Sequence, residues 1–164
     1  MLTQLLIAAS LAAAPAPCDD ALYHKLDFWV GAWDVYDPNG KKYATQDVRR
    51  VVEGCGLTAE WNGPDGNRGL MLIGYDPVLK GWRAVYMSNQ IPRESTIFVR
   101  FSDPDYSGAG VRITRDVTNR GAGERERMTF TPLDGGRMRQ LLEVSHDSGA
   151  SWTTVFNAEH RPRK

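Results

Sequence analysis

The chain has 164 residues, which fits one domain of ordinary size whose core needs neither a metal nor a dense disulfide framework. Its 20 Lys and Arg residues balance 20 Asp and Glu residues, and this neutral balance argues against a dedicated nucleic-acid binder. Five Trp and six Tyr residues favour a sheet-rich fold, because aromatic side chains suit a half-buried pleated surface.

The N-terminal segment reads as a signal peptide. An apolar run from Leu5 to Ala14 has about the length of a signal-peptide h-region and is too short to span a membrane. The segment contains no Lys or Arg, and a disordered or helical N-terminal arm is the alternative. We therefore expect residues 1–16 to be a signal peptide and residues 17–164 to be a single domain that is periplasmic or secreted.

Two cysteines, Cys18 and Cys55, follow the predicted signal peptide. In an oxidising compartment an even pair of cysteines can form a disulfide, which would attach the N-terminal arm to the body of the domain. Their spacing matches no metal motif. The prediction is a Cys18–Cys55 disulfide, and the alternatives are two free thiols or a lipid-modified Cys18.

A short helix is predicted over residues 20–28, where Asp19 and Asp20 can cap its start and Leu22 and Leu26 lie one turn apart. Beyond it, apolar and polar residues alternate, and clusters of Gly, Pro, Asn and Asp interrupt them at short intervals. This pattern predicts about ten strands, near residues 31–37, 43–52, 56–62, 69–75, 81–88, 95–101, 109–116, 124–131, 137–145 and 151–160.

A meander of strands must protect its edges, and closure into an antiparallel up-and-down barrel of about eight to ten strands removes them. No helices alternate with the strands, which excludes a parallel α/β sheet and leaves a two-sheet sandwich as the competing all-β fold. The alternation assigns five groups of residues to shared faces: Trp33 and Val35; Leu57, Ala59 and Trp61; Trp82, Ala84 and Tyr86; Met138, Gln140, Leu142 and Val144; and Trp152, Thr154, Phe156, Ala158 and His160.

The segment FWVGAWDV at 28–35 resembles the Gly-x-Trp start of calycin barrels, the lipocalin-like group. In that group the tryptophan packs at the closed barrel end under a short N-terminal helix, and Gly31 and Trp33 hold the matching positions here. The longer stretches LDFWVGAWDVYDPNG, VVEGCGLTAEW, GWRAVYM and GRMRQLLEVSHDSGASWTTVF are similar to an uncharacterised family of exported bacterial proteins predicted to be such barrels. The resemblance implies a buried Trp33, and we further expect Arg161 or Arg163 to lie across its ring.

The segment SHDSGASW at 145–152 resembles the Asp-box of sialidases. In a hairpin, Asp147 can accept hydrogen bonds from backbone N–H groups, Gly149 can supply a positive φ, and Trp152 can pack at the start of the next strand. A sialidase would need several such boxes, an arginine cluster and a far longer chain. The segment therefore predicts a turn and not a sugar-cleaving site.

The ionisable residues form no recognisable catalytic motif. The histidines His24, His146 and His160 lack metal-ligand spacing. An inward His160 could ligate haem iron, and a rim position is the alternative. Glu60 and Glu143 lie mid-strand and are expected to face outward, and no P-loop or Gly-x-Ser-x-Gly motif is present.

Barrels of this size can hold one small ligand. We therefore expect an exported protein that binds a small hydrophobic or amphipathic ligand through Trp61, Tyr86, Phe156 and His160. We expect no cofactor, metal, nucleic acid or membrane span. The alternatives are a structural or interaction module with a filled barrel, and an enzyme acting at the barrel mouth.

Overall fold

The computed structural model describes residues 18–90, 96–101, 104–108, 110–116 and 123–164. The predicted signal peptide, residues 1–16, lies outside the described residues. The described part of the chain contains ten strands: β1 (Gly31–Tyr36), β2 (Lys42–Val51), β3 (Gly56–Asn62), β4 (Arg68–Asp76), β5 (Gly81–Ser88), β6 (Thr96–Phe101), β7 (Val111–Asp116), β8 (Arg125–Leu133), β9 (Arg137–Ser145) and β10 (Thr153–Pro162). Each overlaps one of the ten segments predicted from the alternating pattern.

The strands form one sheet in the order β6-β5-β4-β3-β2-β1-β10-β9-β8-β7, and every neighbouring pair is antiparallel. The first and last strands of the chain, β1 and β10, pair with each other, while the two edge strands, β6 and β7, come close without a described ladder between them. The fold is therefore an all-β, nearly closed antiparallel barrel. A single curved sheet of this kind buries the side chains of one face in its interior.

The N-terminal segment is not the predicted helix. Residues 21–26 form consecutive turns, and Asp27–Trp29 is a single 3-10 turn. Backbone hydrogen bonds here join residues three apart, such as Trp29 N–H to the Leu26 carbonyl at 2.9 Å. Leu26 and Trp29 are both fully buried, and the tight 3-10 geometry places residues three apart on one face. Hydrogen bonds between residues three apart thus replace the four-residue spacing of the α-helix that the Leu22–Leu26 pair predicted.

The Cys18–Cys55 disulfide is present and closes a sequence separation of 37 residues. It attaches the N-terminal segment to the turn between β2 and β3. A second contact holds the same region, because Arg50 forms an ion pair with Asp27 and donates to the Gly54 carbonyl at 3.3 Å. The N-terminal segment is thus fixed across the end of the barrel where β1 begins, which we call the closed end.

Trp33 is buried at the closed end, where its indole N–H donates to the Trp29 carbonyl at 2.8 Å. The prediction that Arg161 or Arg163 lies across the Trp33 ring is wrong. The Arg161 guanidinium lies 3.9 Å from the ring centroid of Tyr36, and Arg163 donates to Asp47 at 2.6 Å. Arg161 follows the buried His160 in β10. Because adjacent side chains in a strand point to opposite faces, the Arg161 side chain lies outside the barrel, away from Trp33.

A β-bulge in β10 changes one predicted face. Phe156 pairs with Leu142, but Thr154 pairs with Glu143 because the register shifts between Thr154 and Phe156. The extra residue reverses the side to which the preceding side chains point. Trp152 and Thr154 therefore do not share the inward face of Phe156, as the unbroken alternation had predicted.

Candidate functional site

The burial of inward side chains changes from one end of the barrel to the other. In β3, Leu57 and Ala59 are buried, but Trp61 is only partly buried. Similarly, in β5, Ala84 is buried and Tyr86 is partly exposed. The interior is therefore packed at the closed end and accessible at the opposite end, which we call the open mouth. Its partly exposed inward residues include Tyr43, Trp61, Met71, Tyr86, Met128, Leu142, Val144 and Phe156.

Three aromatic side chains meet inside the open mouth. The ring centroids of Trp61 and Phe156 are 6.0 Å apart, and Tyr43 lies 5.8 Å from Trp61 and 6.5 Å from Phe156. All three pairs have edge-to-face geometry, in which aromatic quadrupoles attract. The structure thus brings together Trp61 and Phe156, two of the predicted ligand-binding residues, and adds Tyr43 to them.

Sequence reasoning missed Tyr43 because a β-bulge brings it inward. Val35 pairs with Ala44, whereas Tyr36 pairs with Lys42, so Tyr43 is the extra residue of β2. Simple alternation places Tyr43 and the buried Ala44 on opposite faces. A bulge allows both to contribute to the interior, and the alternating pattern contains no signal that would have located it.

Tyr86, the third predicted aromatic residue, lies over the backbone of the neighbouring strand. A Cβ atom added at Gly69 would collide with the Tyr86 hydroxyl and ring. Gly69 pairs with Trp61 in the sheet, so a strand position without a side chain separates the two aromatic residues. The missing side chain allows the Tyr86 ring to fill the space beside the aromatic cluster formed by Tyr43, Trp61 and Phe156.

The hydroxyl of Tyr43 stays protonated across the ordinary pH range. Burial, and secondarily the negative charge of Asp37, raise the pKa of Tyr43 to about 12. Asp37 begins the β1–β2 turn, where its carboxylate accepts the backbone N–H groups of Asn39 and Lys41 at 2.9 and 2.8 Å. The open mouth therefore presents a neutral hydroxyl beside a fixed carboxylate.

His160, the fourth predicted ligand-binding residue, lies away from this cluster and toward the closed end. Its side chain is fully buried against Trp33, with 6.2 Å between ring centroids. Neither ring nitrogen has a hydrogen-bond partner, and burial lowers the pKa of His160 to about 4. The enclosed nitrogens do not fit the haem interpretation, because an axial ligand must present one nitrogen to an accessible metal position.

Asp147 organises the β9–β10 turn. Its carboxylate accepts the backbone N–H of Ser151 at 2.8 Å and hydroxyl hydrogens from Ser151 and Ser145 at 2.6 and 2.8 Å. These hydrogen bonds, the Ser151 side chain foremost, lower the pKa of Asp147 to about 2. Gly149 has a φ of 96°, and its carbonyl accepts the indole N–H of Trp152 at 3.0 Å. The side chains that bind the Asp147 carboxylate thus belong to its own turn.

Trp152 and the predicted outward carboxylate Glu143 meet on the outer face. Arg127 donates two hydrogen bonds to Glu143, at 2.6 and 2.9 Å, and lies 4.1 Å from the Trp152 ring centroid. The pairing with Arg127 lowers the pKa of Glu143. The carboxylate is therefore held in an ion pair and is unsuited to accept a proton from a substrate.

The remaining histidines occupy the surface. His146 lies in the β9–β10 turn 3.2 Å from Glu124, with a largely exposed side chain. His24 contacts Asp27 at 3.1 Å and Arg50 at 2.7 Å in the N-terminal segment. Within the described ranges, no group of three or more His, Cys, Asp or Glu side chains is arranged to hold a metal ion.

The outer face of β4 and β5 carries exposed apolar side chains. Leu70, Leu72 and Met87 are 38%, 47% and 46% exposed, respectively. Leu70 pairs with Met87 and Leu72 with Val85, so these four residues form a compact patch, the outer apolar patch. A groove of about 480 Å³ adjoins the patch at Leu70 and Met87. It is lined by Glu60, Trp61, Asn62, Arg68, Gly69, Leu70, Met87, Ser88 and Asn89.

Comparisons with known proteins assign no family. Neither a protein-family model nor a curated protein sequence matches the chain. In the part of the chain that is described, no helix is both long enough and apolar enough to cross a membrane. Functional inference therefore depends on the geometry of the open mouth and of the outer apolar patch.

Proposed function

We propose that the protein is a periplasmic or secreted, lipocalin-like binding protein that holds a small hydrophobic or amphipathic molecule in its open mouth. The observation that carries this proposal is the contrast between the two barrel ends. Inward side chains are fully buried near the closed end, whereas Tyr43, Trp61 and Phe156 remain partly exposed. Leaving aromatic surface in contact with water costs free energy that an apolar ligand would recover.

The lining of the open mouth suits a ligand of varied shape. Met71 and Met128 are inward and partly exposed, and methionine side chains adapt to irregular partners because they are unbranched and polarizable. The aromatic cluster provides rigid surface, while the methionines provide adjustable surface. The disulfide agrees with export, since such bonds persist mainly in oxidising compartments.

Binding can be tested with N-phenyl-1-naphthylamine, a neutral apolar probe whose fluorescence rises when it leaves water. The mature protein should bind the probe, and Trp61→Ala should weaken binding about tenfold, since burial of an aromatic surface contributes at least about 1.4 kcal/mol. Trp152→Ala is the matched control, because it removes the same residue type from the outer face. The control should change the probe affinity less than about twofold.

Two results would count against the proposal. One is a wild-type protein that leaves the probe fluorescence unchanged, together with a native mass spectrum of the periplasmic protein that shows the bare chain alone. The other is equal weakening by Trp61→Ala and Trp152→Ala, which would place the probe outside the mouth. Circular dichroism of each variant identifies any loss of folding.

The second candidate function is an interaction module, and the outer apolar patch favours it. A contiguous exposed apolar patch on a sheet face is typical of a surface that another protein covers. A second copy of the chain is the occupant to test first, because a two-fold axis matches one apolar patch to another. Sedimentation of the wild-type protein should then show a dimer and that of Leu72→Lys a monomer. A monomeric wild-type protein at all accessible concentrations would reject this pairing.

A further inference from the structure

We propose that the ligand carries a neutral hydrogen-bond acceptor, such as an amide or ketone carbonyl, which Tyr43, Trp61 and Tyr86 hold at the rim of the open mouth. This inference rests on the proposed binding function and adds a chemical class to it. Three observations carry it: the position of the polar edges of these side chains, the apolar residues deeper in the barrel, and the charge beside Tyr43.

The polar edges of the three aromatic residues lie near the rim. Tyr43 is the second residue of β2, and the charge of Asp37 in the β1–β2 turn contributes to its raised pKa. The indole nitrogen of Trp61 lies against Gly63, just beyond the end of β3, because a Cβ added there would meet it. The Tyr86 hydroxyl lies over the second residue of β4. Hydroxyl and indole groups donate hydrogen bonds, so the rim offers several donors.

Deeper in the barrel, the next inward positions of β3 and β5 are apolar, although the glutamines Gln46 and Gln140 are also buried there. Ala59 precedes Trp61 by two residues and Ala84 precedes Tyr86 by two residues, and both are buried. The amide oxygen of Gln46 is already bound by the indole N–H of Trp29 at 3.0 Å. An amphipathic molecule would therefore place its apolar part inward and its acceptor at the rim, where the donors are.

The negative charge of Asp37 at the rim favours neutral hydrogen-bond acceptors over anions. The backbone N–H groups of Asn39 and Lys41 fix the Asp37 carboxylate in the β1–β2 turn, and its charge helps to raise the pKa of Tyr43. A carboxylate bound at Tyr43 would therefore be repelled by Asp37. The neighbouring cation Lys42 is occupied, because its ammonium group lies 2.7 Å from Asp34. A carbonyl accepts the same hydrogen bonds without this electrostatic penalty.

Decanamide and decanoate make a matched test, because they differ mainly in charge at neutral pH. Each would displace N-phenyl-1-naphthylamine from the mature protein at pH 7.5. The expected result is about tenfold tighter binding of decanamide. Tyr43→Phe keeps the ring and should weaken decanamide about 3- to 10-fold through the lost hydrogen bond. Asp37→Asn keeps a side-chain acceptor for the turn and should strengthen decanoate more than decanamide.

The outcomes separate this inference from the proposed function. Failure of the wild-type protein to bind the naphthylamine probe would reject the binding function itself. Probe binding with decanoate equal to or tighter than decanamide would overturn only the ligand class, as would displacement by neither compound. A preference for decanamide that Tyr43→Phe and Asp37→Asn both leave unchanged would also overturn it, because the preference would then arise elsewhere.

Discussion

Replacement of His160 by an apolar residue should stabilise the protein, and increasingly so as the pH falls. The imidazole is fully buried, and both of its nitrogens lack a hydrogen-bond partner. Burying a polar group without a partner costs about 1–3 kcal/mol in proteins. Burial also lowers the pKa of His160 from 6.5 to about 4, so acid adds a second cost that an apolar replacement would remove.

The sign of the pH effect follows from proton binding in the two states. Between pH 6.5 and about 4, the unfolded chain protonates this histidine whereas the folded protein keeps it neutral. The unfolded state therefore binds more protons, and the free energy of unfolding falls as the pH falls. Because one pKa unit corresponds to about 1.4 kcal/mol, the loss from this residue reaches about 2 kcal/mol at pH 5 and about 3 kcal/mol at pH 4.

Urea unfolding at several pH values between 7 and 4 measures this contribution. His160→Phe and His160→Leu differ in volume, so a packing change shifts the stability of each variant at every pH. The difference between variant and wild type should nevertheless grow by about 2 kcal/mol from pH 7 to pH 5 for both. In thermal unfolding the same growth corresponds to about 4–8 °C in Tm for a domain of this size.

The exposed histidine supplies the control. His146 is largely exposed in its turn, so His146→Gln keeps the buried imidazole of His160 and tests whether loss of any histidine has the same effect. A constant difference between His160→Phe and wild type from pH 7 to pH 4 would refute the reasoning. It would mean that His160 takes up a proton equally well in the folded and unfolded states.

Three further predictions concern stability. Asp147→Ala should lower Tm by a few degrees at pH 7. Hydrogen bonds lower the pKa of Asp147 from 3.8 to about 2, so the stability that they contribute is present above pH 3.8. Acid-unfolding curves should show this contribution disappearing as the pH falls toward 2. Gly69→Ala should cost about 1–3 kcal/mol by displacing Tyr86, and Tyr86→Phe in the same chain should recover part of it in urea unfolding. Replacing Cys18 and Cys55 together by Ser should cost about 4 kcal/mol on the loop-entropy model, and thiol titration of the unreduced, denatured wild type should detect no free thiol.

The sequence by itself determined the strands. Alternating polarity and clusters of turn-forming residues identified all ten segments. In a strand with one buried face, the polarity of the side chains must alternate with a period of two residues. The same pattern, with no helical periodicity beyond the N-terminal segment, determined the antiparallel all-β class. The cysteines Cys18 and Cys55 also indicated their own pairing, since two cysteines allow one intramolecular disulfide.

The features that only the tertiary structure decided are local departures from these patterns. The bulge in β2 brings Tyr43 inward, and the bulge in β10 separates Trp152 from the inward face. Bulges depend on how neighbouring strands accommodate curvature and twist, which a residue's own type does not encode. The N-terminal segment similarly formed 3-10 turns, with Leu26 and Trp29 buried against the barrel, in place of the predicted helix.

The same distinction applies to the candidate site. The sequence placed Trp61, Tyr86 and Phe156 on inward faces, but alternation has no information about depth along the barrel. Because the N-terminal segment covers the closed end, His160 is fully buried, whereas Trp61 at the open mouth stays partly exposed. Depth is decided by which chain segments cover each end, and those contacts join residues far apart in sequence.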